Sequence, residues 1–102
     1  MSRSFVIDAD SFAMDDPEGN PFAFAWREIT GIETGTAWAG GAPLIASRRL
    51  DHVLVRTRER EMYVRLAGQP RTVLQVADGV QQFAPQLWAG HKTSKARRFQ
   101  LS

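Results

Sequence analysis

With 102 residues and no cysteine, the chain has the length of one domain that buries a core without disulfide or metal, and it lacks thiol chemistry and cysteine-based zinc sites. Aliphatic and aromatic residues make up 43%, which excludes a largely disordered chain. The net charge of +2 hides an uneven distribution, and no apolar run approaches the roughly 20 residues of a membrane span.

The N-terminal MSRSFVIDADSF has no long apolar region and soon turns acidic, so it is no secretory signal, and a cytoplasmic location is expected. From Met1 to Glu33 seven carboxylates face two arginines. The stretch 34–47 is uncharged, 48–71 holds seven arginines against three acids, and Lys92, Lys95, Arg97 and Arg98 make the end basic. Such halves can steer a charged partner, but the preferred reading is that they pair with each other across a sheet.

In chain order, residues 4–14 alternate as a strand pair around Asp8-Ala9-Asp10-Ser11. DDPEGNP (15–21) is a turn or loop. In FAFAWREITGIETG, Phe22, Phe24 and Trp26 share one face at period two, and Ile29 breaks their parity. A bulge or tight turn at Arg27-Glu28 would return Ile29 to the core. TGTAWAGGAPLIAS (34–47) reads as a long loop. HVLVRT (52–57) and MYVRL (62–66) read as a hairpin with Val53, Val55, Val64 and Leu66 inward and Arg56, Tyr63 and Arg65 outward. TVLQV reads as a last strand feeding a helix capped by Asp78, with Val80, Phe83, Leu87 and Trp88 as its apolar stripe and Gly90 as its C-terminal cap. Pro85 falls inside that helix and either kinks it or opens a second short helical segment. The expected organisation is one domain over 1–90, mainly β with one C-terminal helix, and a basic, flexible tail over 91–102.

Three passages, FVIDADSFAM, FAFAWREITGIE and VLQVADGVQQFAPQL, resemble the bacterial form of the pleckstrin-homology-like (PH-like) domain family. The resemblance implies a half-open antiparallel barrel of about seven strands capped by the helix, and a binding scaffold rather than an enzyme. Family members bind phosphoinositides, peptides or other proteins, and the lipid-binding ones carry basic residues on and between the first two strands. Here that region holds Asp8, Asp10, Asp15, Asp16 and Glu18, so phosphoinositide binding is not expected.

No motif names a catalytic function. The carboxylates of DADSFAMDDPEGN miss the spacing of a calcium loop, with Phe12 and Ala13 or Pro21 at positions that need an oxygen or a glycine. Ser47, Asp51 and His52 invite a hydrolase triad, but no nucleophile elbow accompanies them. His52 and His91 lack paired spacing for zinc, and Gly31, Gly35, Gly40 and Gly41 lack dinucleotide spacing. No cofactor is expected. The candidate partner-binding residues are Trp38, at the centre of the uncharged stretch, and Arg56, Arg58, Tyr63 and Arg65 on the hairpin. They point first to a protein- or peptide-interaction module or to self-association. The alternative is an anionic surface or nucleic acid held by the arginines and the basic tail.

Overall fold

The computed structural model describes residues 3–39 and 48–95. Among the described residues seven strands form two sheets. The first is an antiparallel meander of β1 (Ser4–Ile7), β2 (Ser11–Asp15) and β3 (Phe22–Ala25). The second has the order β6-β5-β4-β7, from β4 (Ile29–Ala39), β5 (Arg48–Thr57), β6 (Glu61–Ala67) and β7 (Trp88–Lys95). The α-helix of the described residues, α1 (Pro70–Phe83), lies between β6 and β7 in the chain. The class is α+β, mainly β.

Alternation places the core. Phe5, Phe12, Met14 and Phe22 point from the first sheet, and Ile32, Val53, Val55, Val64 and Leu66 from the second. The rings of Phe5 and Phe22 lie 5.5 and 6.0 Å from Phe12, and Trp26 lies 5.8 Å from it. A one-turn 3-10 segment at Trp26–Glu28 takes up the parity break, and Ile29 returns to the core as the sequence requires. The Trp26 indole N–H donates to the Asp8 carbonyl at 2.7 Å, tying the first turn to this corner. The hairpin of β5 and β6 has the expected inward valines and leucine, with Val53 opposite Val64. Its glycine-free turn is held by the Thr57 hydroxyl, which accepts the N–H groups of Glu59 and Arg60 at 3.4 and 3.2 Å.

Several expectations are corrected. The two sheets do not close into a barrel, and β7 runs parallel to β4, so the arrangement is not purely antiparallel. The helix begins at Pro70, whose fixed φ and missing N–H suit a first helical position. TVLQV is therefore helical despite its β-branched residues. The buried stripe is Val73, Val76, Ala77 and Val80, while Asp78 lies within the helix and Phe83 is 37% exposed. The helix stops at Ala84 (φ −148°) because a residue before proline is driven out of the α region, and of the two outcomes expected at Pro85 the second is found: it opens a separate 3-10 turn, Pro85–Leu87.

The helix is also not C-terminal. The chain continues into β7, so residues 91–95 of the expected tail form a strand; 96–102 lie outside the described residues. Gly90 takes a left-handed φ of 99°, not as a helix cap but inside β7. There the pairing slips from Ile32 opposite Trp88 to Thr34 opposite His91, which leaves one extra residue on β7. Lastly, Thr34–Ala39 of the expected loop continues β4, paired with β5 throughout and with β7 as far as Trp38, and 40–47 lie outside the described residues.

Candidate binding surface

The second sheet has two unlike faces. Its inner face receives α1 and the first sheet, and near its far end it carries polar side chains. Asp51 is buried there and accepts four hydrogen bonds: Arg49 Nε at 2.9 and 3.2 Å, Thr36 Oγ1 at 2.8 Å and the Gln69 backbone N–H at 2.7 Å. Gln69 precedes the first turn of α1 and has no side-chain cap of its own, so the Asp51 carboxylate ties β5 to the start of the helix. Because Thr36 spends its proton on Asp51, it must accept from His91 Nε2 at 3.2 Å. His91 Nδ1 then accepts from the Thr34 hydroxyl at 2.7 Å. Each ring nitrogen thus holds a threonine of β4, and β7 is pinned by side chains as well as by its backbone.

These residues bear on the hydrolase reading. Asp51 is committed to Arg49, Thr36 and Gln69, the His52 ring points to the other face of the sheet, and Ser47 lies outside the described residues. The cluster of Thr34, Thr36, Arg49, Asp51 and His91 is not anticipated from sequence. Its only local signal is the Thr-x-Thr alternation at 34 and 36 in an uncharged stretch.

Among the described residues, no element covers the outer face of this sheet. It carries Leu50, His52, Leu54 and Arg56 from β5, Tyr63, Arg65 and Glu61 from β6, Glu33 and Gly35 from β4, and Lys92 from β7. The His52 and Tyr63 rings stack at 4.8 Å and 17°, and Tyr63 is 57% exposed. Gly35 sits beneath the imidazole, where a Cβ would come within 2.1 Å of the ring. Only glycine admits this approach. Burial depresses the His52 pKa below its ordinary value, and His91 adds to this against the opposing pull of Glu33 and Asp51. Beside the stack lies a groove of about 420 Å³ lined by Ala37, Leu50, Asp51, His52, Tyr63 and Arg65.

Across the same face runs a row of alternating charge. Arg56 Nε donates to Glu61 at 2.9 Å and its NH1 group to Glu33 at 3.0 Å, and Lys92 Nζ donates to Glu33 at 3.1 Å. Burial raises the Glu33 pKa, but the hydrogen bonds from Lys92 and Arg56 outweigh it and hold the carboxyl below its ordinary value. The Glu61 and Glu33 hydrogen bonds push Arg56 the other way.

The candidate residues are therefore divided. Arg56, Tyr63 and Arg65 share the outer face. Arg58 lies in the turn beyond it and lines a different cavity. Trp38, 40% exposed, shares the parity of Thr34 and Thr36 and so lies on the opposite face. The oxygens of the acidic turns serve the backbone: Asp8 Oδ1 accepts from Asp10 and Ser11, and Asp16 Oδ1 from Glu18. Among the described residues no cluster of histidines and carboxylates forms a metal site, and no helix is long and apolar enough to cross a membrane.

Compared with protein-family models, curated proteins and solved structures, the chain matches none.

Proposed function

We propose that the protein is a non-catalytic interaction module that self-associates through the outer face of its four-stranded sheet. The observation that carries this reading is the charge row Glu61, Arg56, Glu33, Lys92. Its signs alternate, so the row read backwards is its own complement. A second copy related by a two-fold axis that lies in the interface, perpendicular to this diagonal row, sets Glu61 against Lys92 and Arg56 against Glu33, twice each. That is the requirement of an isologous interface, in which one patch meets itself. Tyr63 and Leu50, exposed beside the row, supply apolar and aromatic area of the kind that anchors such contacts. A nucleic-acid surface is less well supported on this face, because Arg56 is already held by two carboxylates.

The PH-like reading belongs with this proposal. Among the described residues, seven strands in two sheets with one helix packed against them support it, and β7 beyond the helix departs from the pattern that the resemblance implies.

Sedimentation equilibrium from micromolar to millimolar concentration tests the interface. A monomer–dimer equilibrium is expected. Glu61→Lys alone sets like charges opposite each other and weakens the dimer, whereas Glu61→Lys with Lys92→Glu restores the complement and recovers it. A monomer at every concentration, or a dimer indifferent to both variants, would overturn the proposal.

A further inference from the structure

The ion pairs sort the arginines into two groups. Arg3 pairs with Asp16, Arg49 with Asp51, and Arg56 with Glu33 and Glu61. Arg27, Arg58, Arg60, Arg65 and Arg71 have no carboxylate within ion-pair distance among the described residues. Three of these, Arg27, Arg58 and Arg60, line one cavity of about 640 Å³ between the 3-10 turn after β3 and the β5–β6 turn. The rest of its wall is Phe24, Glu28, Thr57 and Glu59. Glu28 Oε1 is occupied by the Ala25 N–H at 2.9 Å, and the Thr57 hydroxyl donates to the Arg60 carbonyl at 3.0 Å. Three guanidinium groups against two carboxylates leave a net positive rim, and among the described residues none of the three is within ion-pair distance of a carboxylate.

We propose that this cavity binds a small phosphorylated molecule carrying a planar ring, of the size of a nucleoside diphosphate. Guanidinium forks match phosphate oxygens in paired, charge-assisted hydrogen bonds. The half-buried Phe24 offers an apolar wall on which a ring can rest. The volume lies within the range of about 300–1,000 Å³ typical of small-ligand sites. The cavity adjoins the charge row at Thr57 and Arg60 but shares no residue with it, and ADP binding and dimerisation are read by different measurements, so each reading can fail alone.

Isothermal titration of the full chain with ADP tests the assignment, with adenosine, pyrophosphate and a single-stranded oligonucleotide as separate arms. One-to-one ADP binding, tighter than adenosine or pyrophosphate and weakened by salt, is expected. Arg58→Gln and Arg27→Gln should each weaken ADP by about tenfold, as loss of a charge-assisted pair does. Arg71→Gln, at the start of α1 and away from both surfaces, should leave it unchanged. The substituted arginines are exposed and carry no ion pair, and circular dichroism checks that each variant keeps its fold. Absence of ADP binding, or binding unmoved by Arg58→Gln and Arg27→Gln, would overturn the site. Pyrophosphate binding as tightly as ADP would overturn the ring's place on Phe24, and an oligonucleotide binding more tightly than ADP would overturn the small-molecule assignment.

Discussion

Asp51 shows how much one side chain can organise. Its carboxylate is buried and is the acceptor for Arg49, Thr36 and the Gln69 N–H ahead of α1. Removing it leaves a backbone donor and a guanidinium facing a vacated acceptor, and each unsatisfied buried group costs about 1–3 kcal/mol. Asp51→Ala is therefore expected to cost about 3 kcal/mol in a urea titration. Asp51→Asn keeps one acceptor oxygen and should cost less. Equal, negligible losses in both would show that the helix start does not depend on this residue. In the sequence Asp51 stands beside His52 and invites a triad that no nucleophile elbow accompanies; its structural role becomes visible only when the strand pairing brings Thr36 and Gln69 to it.

At the scale of elements, the helix and β7 were least legible. The spacing of Val73, Val76, Ala77 and Val80 is helical, yet TVLQV also satisfies a strand pattern, and short apolar runs do not decide between them. Pro70 and Pro85 bracket the real helix. Val76→Ala, at a fully buried position, should cost about 2 kcal/mol, and Phe83→Ala, at a partly exposed one, about 1 or less, as residual cavity volume dictates. The reverse order would return the stripe to the position read from sequence. For β7, truncation after Gly90 removes His91 from Thr34 and Thr36 and Lys92 from Glu33, and bares the edge of β4. A loss of at least about 2 kcal/mol is expected, on the order of two or more net hydrogen bonds. A melting temperature unmoved by the truncation would mean that β7 adds nothing to the sheet.

At the scale of the whole molecule, the acidic first third and the basic middle do meet. Glu33 reaches Arg56 on β5, and Lys92 on β7 reaches Glu33. Arg3 donates to the Arg65 carbonyl and pairs with Asp16 at 3.4 Å, so one guanidinium joins the edge of β6 to the first sheet. The Glu18 N–H, above all, draws the Asp16 pKa down; burial opposes this and Arg3 assists it. Both Asp16 and Glu33 are depressed in the folded state, below ordinary values of 3.8 and 4.5. Their contribution to stability is thus fully present above those values and is lost as pH falls through the lower folded ones. The urea midpoint should decline as pH drops below about 4.5, and less steeply in Glu33→Gln. A variant with an unchanged pH slope would remove Glu33 from the charge row.

What the sequence determined by itself was local: the two-residue alternation of Val53, Val55, Val64 and Leu66, the aromatic face of Phe22 and Phe24, the corner at Arg27-Glu28, and the break at Pro85. Each follows from spacing or backbone chemistry within a few residues. Tertiary structure alone decided the rest. Whether TVLQV became strand or helix depended on which surface was left to bury its valines, and whether 91–95 became tail or strand depended on β4 having a free edge. The division of Trp38 from Tyr63, Arg56 and Arg65 came from strand register, since opposite faces of a sheet separate residues that a linear reading groups together.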